Sequence, residues 1–361
     1  MKINVSSKNL KKAVDSIKPC IATKPLMPVL AGIKIECVEP DNLVLTAYNL
    51  AEGLQVTCEA ECNAIGSFVI LEKDLSSLLD KLKGDLEIVI DDNKATFSTD
   101  KSNVEFQILD ATEYPDLIFK IDEPIGSRLL ANSFGRAVDA CSVSVSKDET
   151  KPLLQGINIK ADSATKAATL ASTDGHRLTV CKFDCEWDIE PVTLPAKFLS
   201  KLPDTIAEEI RMSIGINEAL FVTDDSVSAT CRVYEGKYPD YELLLPKSAS
   251  RTLTVDRLEM LELLSIAEVA IANNMVQLSL EPNTLTISSG RDAAEAISTM
   301  ECQLIGSPLN IGLNLKYFQQ GLKMFDDEKA TLNINGALEP VTIVSSDGFL
   351  LYLMMPIQIR N

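Results

Sequence analysis

Thr173-Asp174-Gly175-His176-Arg177-Leu178 contains the only histidine of the chain. An imidazole two residues from a carboxylate and three from a hydroxyl is material for acid–base or nucleophilic chemistry. Such chemistry needs an acid, base or nucleophile held beside the ring, and closeness in sequence does not supply that. No glycine-rich phosphate loop, nucleophile elbow or metal-spaced cluster accompanies the stretch. Asp-Gly between the apolar segments "ATLAS" and "LTV" reads as a strand–turn–strand. Zinc is the second chemical possibility. Nine cysteines include two pairs, Cys58/Cys62 and Cys181/Cys185, whose spacing differs from the usual structural sites. One histidine cannot complete two sites, so the cysteines read as small buried residues in a reducing compartment, with no metal and no cofactor bound.

The elements around this stretch must come from a chain of 361 residues, 46% apolar, with a formal net charge of −18. That length suits two or three globular domains. The longest apolar run, Phe349 to Ile357, is far short of the ~20 residues of a spanning helix, and "MKINVSSKNLKK" lacks a signal peptide's apolar stretch. A cytoplasmic protein with no membrane partner is expected. The acidic balance excludes a grip on nucleic acid over the whole surface but leaves room for a local basic strip.

Repeats organise the chain. "PVLAGIKI" at Pro28 and "PLLQGINI" at Pro152 share Pro, Leu, Gly, Ile and Ile in register, and "EYPDL" at Glu113 and "KYPDY" at Lys237 recur at the same offset. Apolar residues fall on one helix face at Leu10, Ala13, Val14 and Ile17, again at Phe134, Ala137, Val138 and Cys141, and again at Met260, Leu263, Leu264 and Ala267. A second stripe follows at Leu75, Leu78, Leu79, Leu82 and at Phe318, Gly321, Leu322, Phe325, with a poorer version at Phe198 and Leu202 before Pro203. Asp74 and Asn314 suit the cap regions of these helices. Alternating segments such as "GIKIECVE", "LEIVID", "INIKAD", "VQLSLEP" and "VTIVSS" read as strands. The fold class expected is α+β, with three repeated domains at 1–122, 123–247 and 248–361. Each has two helices packed on antiparallel sheet, and the boundaries fall near Asp122–Ser127 and Pro246–Ser250. The helix faces opposite the apolar stripes gather cations, at Lys8, Lys11, Lys12 and Lys18, then Lys73, Lys81, Lys83, Arg136, Lys197, Lys201, Lys316 and Lys323, although Glu259, Glu262 and Glu268 make one helix acidic.

Three such repeats, with "TDGHRL" at Thr173, "YPDY" and "LPK" between Tyr238 and Lys247, and "YLMMPI" at Tyr352, resemble the bacterial DNA polymerase sliding clamp, the beta subunit of the replicative polymerase. The resemblance spans the whole chain. It implies DNA-clamp domains that form a ring as a head-to-tail homodimer, encircle duplex DNA without regard to sequence, and confer processivity without a catalytic site. Twelve helices at ~9 Å spacing give a circle roughly 35 Å across and a bore near 25 Å, wide enough for a duplex, whereas six helices do not. The implied partners are the replicative polymerase catalytic subunit, the clamp loader, and other polymerases and repair factors that bind through short linear motifs.

By the same resemblance, a peptide-binding pocket uses Leu154, Thr173, Gly175, His176, Arg177, Leu178, Pro239, Leu244, Asn314, Tyr317, Leu353, Met355, Pro356 and Ile357. DNA-facing positions are Lys24, Lys73, Lys197 and Lys201. Phe106 and Ile108 meet Ala270 and Ile271 across the dimer interface. Lys151, Leu243 and Gln358 stand where many relatives carry arginine, and Lys24 replaces an arginine fork with a point charge. Two readings compete with the clamp. A hydrolase centred on His176 and Asp174 would turn over a small substrate, and a DNA-independent peptide scaffold would use the same groove without a ring.

Overall fold

The computed structural model describes residues 1–117, 128–185, 188–202, 209–215, 217–223, 227–291 and 294–359. The boundary expected at Asp122–Ser127 lies outside them, as does Pro203. The one at Pro246–Ser250 falls in irregular chain before strand Arg251–Asp256.

The apolar stripes become helices. They are α1 (Ser7–Ile17), α2 (Glu72–Leu79), α3 (Ala131–Val143), α4 (Ala196–Leu199), α5 (Arg257–Val269) and α6 (Leu315–Lys323). Leu10, Ala13, Val14 and Ile17 are buried under α1, and Phe134, Ala137, Val138 and Cys141 under α3. On α5, Met260, Leu264 and Ala267 are buried and Leu263 is half-buried. Helix α2 stops before Leu82, and α4 is a single turn over Phe198 and Leu199, so the second stripe is shorter in the structure than in the sequence. Asn314 caps α6, its Oδ1 accepting the Tyr317 N–H at 3.1 Å. Asp74 does not cap α2. The cap position is Leu71, and Asp74 lies in the first turn, where its charge suits the positive end of the helix.

The repeated Pro-Leu-Gly-Ile-Ile pattern is one device used twice. A 3-10 turn, Pro28–Ala31 or Pro152–Gln155, leads into a strand, Gly32–Glu39 or Gly156–Asp162. The strands do not close three separate sheets, however. The chain forms two compact units, one of Met1–Asn132 with Phe198–Val233 and one of Ser133–Lys197 with Tyr234–Asn361.

In the first unit a five-stranded sheet runs in the order Glu61–Cys62, Lys2–Ser6, Asp85–Asp91, Lys94–Thr99, Ser102–Gln107. An eight-stranded sheet joins strand Val227–Arg232 of the middle repeat to Glu52–Glu59 of the first, from Val227 opposite Val56 to Cys231 opposite Glu52. In the second unit a nine-stranded sheet joins Arg177–Asp184 to Leu350–Met354, with Arg177 opposite Met354 and Cys181 opposite Leu350. A four-stranded sheet there begins at the edge strand Ala294–Glu301. The middle repeat is thus divided: its strands after Phe198, together with Arg128–Leu130, extend a sheet of the first repeat, and its strands from Gly156 to Pro195 extend a sheet of the third. Each pairing satisfies backbone groups that an isolated repeat would leave on a sheet edge.

Two close approaches set helix positions. A Cβ at Gly321 of α6 would stand 2.3 Å from the ring of Tyr352, which is fully buried and donates its hydroxyl to Tyr317 O at 2.9 Å. Glycine therefore lets α6 lie directly on the strand Leu350–Met354. In the first unit, Lys18 at the end of α1 reaches Glu72 at the start of α2 at 2.7 Å, and Ser76 Oγ donates to the same carboxylate at 2.6 Å. Burial pushes the Glu72 carboxyl up, but the hydrogen bonds from Lys18 and Ser76 outweigh it and leave the group below its ordinary value.

Gly321→Ala is expected to lose about 1–3 kcal/mol of stability through overpacking against Tyr352, read by urea denaturation; an unchanged midpoint contradicts the contact. The depressed Glu72 gives stability that is present above the ordinary carboxylate range and lost as pH falls through its folded value. Because Lys18 is half exposed, solvent screens the pair, and wild type should lose only about 0.5–1 kcal/mol more than Glu72→Gln between pH 7 and pH 3. Parallel pH curves for the two proteins would remove the pair from the acid response.

Candidate functional site

Strands Ala167–Thr173 and Arg177–Asp184 are joined by a tight turn in which Gly175 has φ +92°, a conformation glycine adopts without strain. Asp174 organises this turn. Its Oδ1 accepts the N–H groups of His176 at 2.9 Å and Arg177 at 3.1 Å, and its Oδ2 accepts Arg177 Nε at 2.9 Å. Thr173 Oγ1 donates to Arg177 O at 2.6 Å and accepts from Gly175 N at 3.1 Å. The carboxylate is committed to the turn's own N–H groups and guanidinium. The hydrolase reading asked Asp174 to serve the imidazole, and the structure gives it this other task. The His176 side chain itself stands exposed at the tip.

Arg177 links the turn to α6. Its side chain is 6% exposed; Nη1 donates to Gln320 Oε1 at 2.6 Å, and the guanidinium lies 4.2 Å from the Tyr317 ring centroid. Arg177 therefore acts first as a brace that positions Tyr317. Thr173 N donates to the Tyr238 hydroxyl at 3.0 Å, and burial pushes that phenol well above its usual range, so it stays neutral. Neither Gln320 nor Tyr238 was singled out for the site in the sequence. Gln320 follows Tyr317 by three residues on a helix, and that spacing is the signal that could have found it.

The expected pocket residues divide into two neighbouring groups. Leu178 and Leu353 are core residues, buried with Ala171, Val180, Tyr238 and Tyr241, while Leu154 packs half-buried at the margin. Leu244 and Met355 are 52% and 38% exposed, Pro239 is exposed, and Pro356 and Ile357 are half-buried. Backbone bonds hold the last segment at both ends: Met355 N donates to His176 O at 2.8 Å, and Ile357 N to Gly312 O at 2.8 Å. The 3-10 turn Tyr241–Leu244, which carries Leu244, is tied down by an ion pair between Lys160 and Glu242. The second group, His176, Arg177, Asn314 and Tyr317, lines a cleft of about 770 Å³ together with Lys147, Lys316, Gln320 and Lys323.

Burial pushes the Cys58 thiol up to about 11 and the Cys20 thiol up to about 12, so both are protonated at neutral pH and poor nucleophiles. No group of three His, Cys, Asp or Glu suited to a metal occurs among the described residues, and no described helix is long and apolar enough to cross a membrane.

The lysines and apolar residues assigned to larger surfaces fall out unevenly. Lys24, Lys73 and Lys197 are exposed. Lys201 is instead a tie within the first unit: its Nζ meets Glu52 Oε2 at 2.7 Å and Pro19 O at 3.1 Å. Phe106 sits on the edge strand Ser102–Gln107, half-buried and edge-on to Phe97 at 5.9 Å, with Ile108 just beyond. Ile271 is half-buried, but Ala270 is only 3% exposed and closes α5 through its N–H to Ala267 O, so its side chain offers no surface to another chain. The apolar side chains that α5 leaves in solvent are Leu258, Ile266 and Val269, and the edge strand Ala294–Glu301 leaves Ile297. Sequence alternation gave no means of separating these from Ala270.

Lys201→Met should lose about 1–3 kcal/mol because it leaves the mostly buried Glu52 without its partner, and adding Glu52→Gln should restore part of that loss in urea denaturation. An additive double variant would show that the two side chains act independently.

The family models for the DNA polymerase III beta subunit match the chain in order: the N-terminal domain over residues 1–118, the central domain over 128–240 and the C-terminal domain over 242–358. A beta sliding clamp of Synechococcus elongatus is 28% identical over 379 residues, covering 100% of both chains. The solved DNA polymerase sliding clamp of Bacillus subtilis superposes with a TM-score of 0.92 at 24% identity over 100% of each chain. A sliding clamp of Pseudomonas aeruginosa bound to griselimycin superposes with a TM-score of 0.93 at 20% identity, covering 99% of this chain and 100% of that one.

Proposed function

The chain belongs to the DNA polymerase III beta subunit family, the sliding clamps of DNA replication, and on that premise we propose that two copies close head to tail around duplex DNA and tether the replicative polymerase to it. The observation that carries this reading is the match of three successive family domains across nearly the whole chain. The domains are taken as 1–122, 123–247 and 248–361. The protein acts in the cytoplasm and turns over no substrate, since ATP hydrolysis belongs to the loader that opens the ring.

The charge supports retention by threading. At a net charge of −18 the surface repels DNA in general. A few exposed lysines, Lys24, Lys73 and Lys197, then give weak attraction without reading sequence. Lys201 leaves this set because Glu52 neutralises it. The seam pairs the Phe106 and Ile108 edge of one copy with the Ile271 side of the next, a contact that closes when the rotation fits two copies. Leu258, Ile266, Val269 and Ile297 supply the apolar surface that Ala270 does not.

Polymerase, loader and repair factors dock short linear motifs against Leu154, Leu244, Met355, Pro356 and Ile357 over the Leu178 and Leu353 floor. Thr173, Gly175 and Pro239 shape the wall, and His176, Arg177, Asn314 and Tyr317 form the polar end. Exposed Met355 and Leu244 suit several partners because their side chains adapt.

The test loads the protein onto a nicked circular plasmid with clamp loader and ATP, then filters the mixture at raised salt. Retention on the circle and release after linearisation are expected. Equal retention on linear DNA would mean adhesion, and no retention on the circle would leave a scaffold that never encloses DNA.

A further inference from the structure

We propose that the cleft beside the His176 turn selects peptide partners that carry acidic side chains next to their apolar anchors. This deepens the peptide-docking reading above and rests on it. The cleft is lined by five cations, Lys147, Lys151, Arg177, Lys316 and Lys323, against two carboxylates, Asp148 and Asp174. That sign is opposite to the charge of the whole chain.

The five cations are not equivalent. Arg177 is committed to Asp174, Gln320 and the Tyr317 ring. Lys151 stands 3.9 Å from Asp148, whose carboxyl is held low by its bonds from Thr150. Lys147, Lys316 and Lys323 are exposed and make no ion pair among the described residues. Two of them stand on α6, Lys316 in the first turn and Lys323 in the last. Their charge faces a cleft whose other walls, Asn314 and Tyr317, belong to the proposed peptide site.

A lysine here is a mobile point charge with three donors, not a planar fork, so it favours a carboxylate without fixing its angle. A peptide fits this arrangement better than a nucleic acid strand. One or two carboxylates can meet the lysines while the neutral backbone passes Asp148 and Asp174, whereas a strand of regularly spaced phosphates would press against both aspartates. The apolar margin at Leu154 and Met355 gives the same peptide its anchors.

The experiment measures fluorescence anisotropy of two labelled peptides, each Gln-Leu-Ser-Leu-Phe with a flanking pair of residues, Asp-Asp in one and Asn-Asn in the other. At low salt the acidic peptide should bind about 3- to 10-fold more tightly, and the ratio should shrink as salt screens the charges. In Lys316→Ala/Lys323→Ala the ratio should fall to about half or less, with Lys147 alone of the three left, a readout that general loss of structure would not move in this way. Equal affinity of the two peptides for the wild type, or a ratio that survives undiminished in the double variant, overturns the proposal while leaving the groove intact. Binding of neither peptide would overturn the groove reading and this one with it. Displacement of the acidic peptide by a single-stranded oligonucleotide that itself binds more tightly through Lys316 and Lys323 would assign the cleft to nucleic acid and overturn the peptide proposal.

Discussion

Five residue pairs of one antiparallel ladder, from Arg177 with Met354 to Cys181 with Leu350, hold the candidate site together. They join strands far apart in the chain, and every other feature of the site is measured from them. The ladder puts the Asp174–Arg177 turn at the end of the strand that runs into Met355, so a backbone bond from Met355 to His176 fixes the near end of the exposed segment and one from Ile357 to Gly312 its far end. The same ladder sets Tyr352 under α6, where Gly321 gives it room, and this brings Tyr317 and Gln320 to Arg177. A backbone constraint of this kind tolerates changes of side chain more readily than a constellation of side chains would. That is consistent with a fold held nearly constant at 24% sequence identity.

The polar groups of the turn are largely turned inward. Asp174 satisfies two backbone N–H groups and one guanidinium, Thr173 closes the turn on itself, and Arg177 braces the helix. Such preorganisation suits binding: little order has to be imposed when a partner arrives, so less of the contact energy is lost. What remains free at the surface is apolar on one side, at Leu244 and Met355, and cationic on the other, at Lys147, Lys316 and Lys323. The histidine is the exposed tip of a turn whose carboxylate is already bonded to the turn's own donors.

Much of this was legible in the sequence, and the failures share one physical cause. Helical periodicity located α1, α3 and α5, because burial of one face leaves a period that a single chain records. The Asp-Gly turn and the Asn314 cap were legible for the same local reason. Sheet partners were not. Strand Val227–Arg232 looks like any half-buried strand, and nothing in it says that its neighbour is Glu52–Glu59 and not a strand of its own repeat. The sequence reads as helices on sheet in each of three repeats, and it does not tell that two of the sheets cross the repeat boundaries. Charge was misread in the same way: Lys201 looks like any solvent-facing lysine until its fold partner Glu52 is known, and Ala270 looks like an apolar surface residue until α5 is seen to end over it.

The dependence of the site on the inter-repeat ladder is tested most directly by native-state hydrogen exchange, followed residue by residue through rising denaturant. Amides of residues 177–181 and 350–354 should share one opening free energy and exchange in a single cooperative event. If 350–354 opened in a separate, lower-energy event while 177–181 stayed protected, the ladder would not be what holds the turn, the strand end and α6 in register, and the account would fail at its base.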